Sequence, residues 1–321
     1  MTTTGTSGRS TRIAAALIAS AAAVTLSACG SSSSSSGSAS NPLAPKTSAA
    51  AGSIVIGSND FPESTLLADI YGVTLKAQGV KVSYKYNIGS REVTYGLLKD
   101  GDIQLMPEYN GSLLAYLDKA AAPTSTADTD TQLSAKLAPG LEVLDPSTAQ
   151  DKDSLTVNTQ TAAKYHLTSS STIADLAPYA SDLTLGAAPE FQTRQQGLIG
   201  LAAEYGLKFK GFKALDAGGP LTEGALKANN IQVGDIFTVD TLVTTDKWVV
   251  LQDPKNLFGF ANVIPVGQKS VLTPSVVSAL NAVSAKLDTA TLMQLDGQVG
   301  TKGADPLAVA TSWLQTVGLP S

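Results

Sequence analysis

The patterned part of the chain opens with the β-branched run Ile54-Val55-Ile56, ended by Gly57-Ser58. Apolar Leu66, Leu67, Ile70, Val73 and Ala77 then recur at helical spacing between Phe61 and Gln78. This predicts strand, loop, helix. Val80 to Tyr86 alternates as a strand, Ser90 to Lys99 sets Val93, Leu97 and Leu98 on one helical face, and Ile103 to Met106 reads as a strand closed by Pro107. A helix from Ser112 to Asp118 follows, and Lys119 to Gln132, rich in Thr, Ala and Asp, reads as a surface insertion. A second region begins near Asp151. It has strand-like Ser154 to Val157, Thr184 to Ala187, Phe209 to Leu215 and Val233 to Val239, with helices at Gly197 to Tyr205 and Leu221 to Ala228. The chain returns to strand at Val263 to Val266 and ends in helices Pro274 to Leu287, Ala290 to Gln298 and Pro306 to Val317. Strands alternating with helices predict an α/β fold of right-handed βαβ units, with mostly parallel sheets flanked by helices.

The first 52 residues lack this pattern. Arg9 and Arg12 precede an uncharged run from Ile13 to Leu26, which is shorter than the roughly 20 residues a membrane span needs and suits the apolar region of a signal peptide. Leu26-Ser27-Ala28-Cys29 resembles the bacterial lipobox, which predicts a signal peptide over 1–28 and a lipidated Cys29. Gly30, six consecutive serines and a Ser-, Ala- and Pro-containing stretch complete a flexible tether over 29–52. The expected location is therefore the outer face of a bacterial cytoplasmic membrane, held by lipid.

Composition narrows the chemistry. Removing Arg9 and Arg12 with the leader lowers the basic count from 22 to 20 against 27 acids, so the chain is acidic and poorly suited to nucleic acid. One cysteine and one histidine leave no disulfide framework and no Cys-based metal cluster. His166 stands alone in Lys164-Tyr165-His166-Leu167, and neither a nucleophile elbow nor a phosphate-binding loop is present, so catalysis, metal and cofactor are not expected.

Seven strings carry a family resemblance. They are Gly57-Ser58-Asn59-Asp60-Phe61-Pro62-Glu63-Ser64, Asn87-Ile88-Gly89-Ser90-Arg91-Glu92-Val93, Pro107-Glu108-Tyr109-Asn110-Gly111-Ser112, Ala188-Pro189-Glu190-Phe191-Gln192-Thr193-Arg194, Gly197-Leu198, Leu215-Asp216-Ala217-Gly218-Gly219-Pro220 and Val263-Ile264-Pro265-Val266. In this order and spacing they resemble the substrate-binding proteins of glycine betaine/choline-type osmoprotectant ABC transporters. The resemblance implies a two-lobed periplasmic-binding-protein fold of type II, with lobe I at 53–150 plus 263–321, lobe II at 151–262 and the ligand cleft between them. It also implies crossovers near Gln150 and Asn262, hinge closure on a small solute, and delivery to a permease and, through it, an ATPase, by a monomer.

The family's aromatic cage, which attracts a quaternary ammonium through ring faces, is matched here by Tyr109. Asp153, Phe237 and Ala261 stand where relatives carry other aromatic residues, Asn59 replaces a lysine, Ser112 replaces a threonine, and Asp151 and Arg194 resemble the family's polar residues. The implied ligand-binding set is Asn59, Tyr109, Ser112, Asp151, Asp153, Arg194 and Phe237. The expected solute is glycine betaine, choline or a relative. A polyol, sugar-like or aromatic solute suits the more polar cleft as an alternative, as does a ligand sensor uncoupled from transport. Arg91 with Glu92 reads equally as a structural salt bridge or as ligand contacts, and Arg194 also reads as an inter-lobe ion pair.

Overall fold

The computed structural model describes residues 53–321. The chain runs through β1 (Ser53–Gly57), α1 (Pro62–Ala77), β2 (Lys81–Lys85), α2 (Arg91–Asp100), β3 (Leu105–Tyr109), α3 (Asn110–Leu117), α4 (Thr126–Lys136) and β4 (Leu141–Val143). It continues through β5 (Leu155–Val157), α5 (Thr159–Tyr165), β6 (Thr184–Ala187), α6 (Gly200–Tyr205), β7 (Gly211–Ala214), α7 (Pro220–Lys227), β8 (Val233–Asp235), α8 (Leu242–Thr245) and β9 (Val249–Val250). It closes with β10 (Val263–Gln268), α9 (Pro274–Ser284), α10 (Thr289–Asp296) and α11 (Pro306–Thr316). Among the described residues no helix is long and apolar enough to cross a membrane.

Two five-stranded sheets form, in the orders β2-β1-β3-β10-β4 and β7-β6-β8-β5-β9. Each is mixed. β10 runs antiparallel to β3 and β4 in the first, and β5 antiparallel to β8 and β9 in the second. We call these sheets, with the helices that cover them, the first and second lobes. Between the sheets Gln150 and Asn262 make an isolated antiparallel bridge, and the amide of Asp151 donates to the carbonyl of Ala261 at 3.0 Å.

Sequence explains the local choices. Pro62 at the first helical position and Glu63 in the first turn start α1, which is buried on most faces, including Leu66, Leu67, Ile70 and Leu75. Gly101, at φ 85°, ends α2 in the left-handed conformation. Two readings change. Pro107 lies inside β3, directly opposite Pro265 of β10. An antiparallel ladder alternates bonded and non-bonded pairs, and the bonds Asn110 N–H to Asn262 O and Gln268 N–H to Gln104 O put the two prolines at a non-bonded pair, where the ladder between β3 and β10 requires neither amide. Part of the segment read as an insertion is α4, whose Ser125 hydroxyl accepts from the Asp128 amide and whose Thr129 and Leu133, one turn apart, are buried.

Candidate functional site

The strand ends converge on one cleft. Asn59 and Phe61 come from the loop after β1, Tyr109 from the end of β3, Ser112 from the first turn of α3, and Asp151 and Asp153 from the segment entering the second lobe. Arg194 follows β6, Asp235 ends β8 and Phe237 follows it. All seven residues singled out in the sequence therefore line one cleft. Ala261 does not, being fully buried in the first lobe's core.

Aromatic rings form one wall. Phe61 lies 5.3 Å from Phe237 and 6.2 Å from Tyr109 between ring centroids, so rings of both lobes meet there. The Tyr109 hydroxyl donates to Glu63 Oε1, and burial, followed by the Glu63 charge, pushes that phenol well above its ordinary pKa. The hydroxyl bond fixes the ring. Asn59 is held by its amide donating to Ser64 Oγ at 2.9 Å and by its Oδ1 accepting from Thr94 Oγ1 at 2.8 Å.

The polar wall carries more negative than available positive charge. Arg91 is clamped to Glu108, with Nε at 2.8 Å from Oε1 and Nη2 at 2.9 Å from Oε2, both side chains being buried in the first lobe. Arg194 reaches across to Glu92 of α2, with Nε donating to Oε1 at 3.0 Å and Nη2 to Oε2 at 2.9 Å. Its inter-lobe reading is the one this geometry matches. Burial works against the Arg194 charge, but hydrogen bonding to Glu92 and the charges of Glu92, Asp153 and Glu190 hold its pKa above the usual value. Burial raises the pKa of Asp153, against the pull of Arg194 and Arg91. Asp235 is raised well above the carboxylate range by burial and then by Asp153, and its Oδ1 is buried without a partner. Asp151 accepts from Thr238 Oγ1 and the Val239 amide, both at 3.2 Å, which ties the crossover to the second lobe.

Phe61, Arg91 and Asp235 line the cleft without being chosen from sequence as ligand residues. Phe61 is flanked by Asp60 and Pro62 in a turn at the carboxyl end of β1, where α/β folds place ligands, and that position is the signal for it. The Asp216 carboxylate accepts from the Leu221 and Thr222 amides at 2.9 and 2.8 Å, capping α7.

Residues 52–316 match OpuAC, the substrate binding domain of ABC-type glycine betaine transport systems. The chain belongs to this family. It is 28% identical over 283 residues to the glycine betaine-binding protein YehZ of Escherichia coli (strain K12), covering 84% of this chain and 92% of that protein. It is also 28% identical to a glycine-betaine-binding protein of Pseudomonas aeruginosa, over 83% of this chain and 88% of the relative. Among solved structures it resembles a glycine betaine/carnitine/choline ABC transporter protein with a TM-score of 0.64 at 23% identity, over 82% of this chain and 98% of that one. The two-lobed type II binding-protein fold follows from this likeness. The relatives named here are transport binding proteins rather than enzymes.

Proposed function

We propose that the protein is the extracytoplasmic solute-binding component of an ABC importer and that its solute is a quaternary ammonium osmoprotectant. The observation that carries this reading is that the wall of Phe61, Tyr109 and Phe237 lines the same cleft as Asp153 and Asp235. Ring faces attract a cation that cannot donate hydrogen bonds, at about 0.5 to 2 kcal/mol per contact, and a cation beside the unpaired Asp235 oxygen favours the ionised carboxylate that burial otherwise disfavours. Asn59, Ser112, Asp151 and Arg194 complete the binding set. Both arginines are engaged with glutamates, so a solute carboxylate must compete with Glu92 for Arg194, whereas a choline-like cation meets no such rival.

The functional lobes are 53–150 with 263–321, and 151–262, swinging about Gln150 and Asn262. The bridge between these residues supports that placement. Closure on solute creates the surface the permease accepts, and its ATPase drives transfer. Signal peptide 1–28, lipidated Cys29 and tether 29–52 lie outside the described residues and stand on sequence alone, as does the monomeric state.

Calorimetric titration of choline, glycine betaine, carnitine and polyols into the protein tests the reading. Saturable binding of a quaternary ammonium, weakened at least tenfold in Tyr109→Ala, is expected. Binding of a polyol with no response to any quaternary ammonium overturns the solute assignment.

A further inference from the structure

Beyond the Phe61–Phe237 pair the cleft continues into a second, smaller chamber. Its polar walls are four acids, two from each lobe: Glu63 of α1 and Asp296 of α10, facing Glu223 of α7 and Asp240 of the segment after β8. The lobes touch beside it, where Thr241 and Thr301 share a hydroxyl hydrogen bond of 2.9 Å. Glu63 commits Oε1 to the Tyr109 hydroxyl, and Asp240 commits Oδ1 to the Leu242 amide at 2.7 Å. Glu63 Oε2 is buried and without a partner, and Asp240 lies within hydrogen-bonding reach of the Glu223 carboxyl. No Lys, Arg or His stands among the described residues lining the chamber.

Four carboxylates crowded together, Glu63 and Asp240 buried and Glu223 and Asp296 half-buried, cannot all stay charged without a counter-charge. Among the described residues no three acids are placed to hold a metal ion, which leaves protons as the neutralising species. We propose that closing the cleft takes up protons onto this inter-lobe cluster, with Asp296 and Asp240 as the pair that meets across the interface, so that falling pH selects the closed form.

The surroundings of each group agree. Burial, and then Asp240 across the interface, pushes Asp296 up to about 7. Glu223 rises to about 8 through burial, then Asp240, Asp216 and Asp296. Burial raises Asp240, with Asp246 adding to it, against hydrogen bonds from the Leu242 amide and Glu223. Burial, Asp151 and Asp296 raise Glu63 well above its ordinary range, against the Tyr109 hydroxyl, and Asp151 itself rises through burial and the charges of Asp296 and Asp153. Opening exposes Asp296 and parts it from Asp240, so its pKa falls toward about 4, whereas Glu223 keeps the charges of Asp240 and Asp216 on its own lobe and falls less. Between those limits the closed form binds more protons than the open one. Closure therefore strengthens as pH falls through about 8 to 7 and levels off once the open form is protonated too.

The link to affinity rests on the proposed solute reading, whereas the pH dependence of closure does not. Choline titrated calorimetrically into the full chain at pH 7.5, in buffers of low and high ionisation enthalpy, counts the protons exchanged. Net uptake of up to about one proton per choline is expected, with affinity rising by up to about tenfold per pH unit between pH 8.5 and 6.5. Asp296→Asn should remove most of the uptake and flatten the affinity profile, with its melting temperature confirming folding. Binding of choline without proton uptake in the unaltered chain overturns the proposal and leaves the solute reading intact. If choline does not bind, small-angle scattering of the solute-free chain decides. A radius of gyration that shrinks from pH 8.5 to 6.5, and stays small throughout in Asp296→Asn, supports proton-linked closure, and a pH-independent radius overturns it.

Discussion

At one end of the cleft a guanidinium meets a carboxylate across the gap, and at the other, carboxylates meet carboxylates. Arg194 and Glu92 arrive with opposite charges and complete each other, in a pair that remains partly exposed. Glu63 and Asp296 face Glu223 and Asp240 with like charge, so that end closes fully only when positive charge comes from outside the chain. The difference teaches that an inter-lobe contact is defined by what it needs on closing. The ion pair must be released by solvent or by a solute carboxylate, whereas the acid cluster must be supplied. Beside Glu92, Arg91 shows a third case, a pair buried within one lobe that no opening motion has to break.

The contrast between buried and breakable pairs gives the largest expected effect. Arg91→Ala leaves Glu108 charged and buried without a counter-ion, and should cost about 3 to 5 kcal/mol of stability in urea unfolding. Arg194→Ala should cost less than about 1 kcal/mol in the same assay. Equal losses would mean that the two pairs do not differ in kind. Next comes the wall between the two ends. Phe61→Ala removes the ring that bridges Tyr109 and Phe237 and should weaken choline binding by up to about 30-fold in calorimetry. An unchanged affinity would separate the wall from recognition.

A smaller effect sharpens the comparison. Glu92→Gln should speed choline dissociation by about fivefold in stopped-flow measurements, and by the same factor at pH 6 and pH 8. Although burial alone would raise it, hydrogen bonds from Arg194 and Ser90 hold Glu92 at about 2. A depressed pKa makes the pair's contribution complete above about 4.3 and lost only as pH falls toward 2. A Glu92→Gln effect that varied between pH 6 and 8 would blur the distinction from the acid cluster.

Much of this site is legible in the sequence because topology places it. Asn59 and Tyr109 follow strand ends of the first sheet, Arg194 and Phe237 follow those of the second, and Asp151 and Asp153 follow the crossover, so position along the chain already predicts convergence. The pairings are not legible in the same way. Arg194 and Glu92 are 102 residues apart and meet only through the way the lobes face each other. Tyr109 and Glu63 are 46 residues apart, and nothing in either string says that the phenol is spent on a carboxylate rather than left free. The acid chamber draws Glu63, Glu223, Asp240 and Asp296 from four separate segments, and no local pattern connects them. In α4 the Thr and Asp content suggests a loop, yet burial of two side chains one turn apart outweighs composition.

The place of β10 bears on how the protein comes to be made. It is the strand between β3 and β4, yet it follows the whole second sheet in the chain, so a nascent polypeptide ending before Val263 carries two bare strand edges and no means of joining them. The first lobe is then the last to be sealed. For a chain proposed to cross a membrane before it folds, late delivery of this one central strand postpones commitment to the native state, and the same long-range pairing makes refolding slow once the whole chain is free.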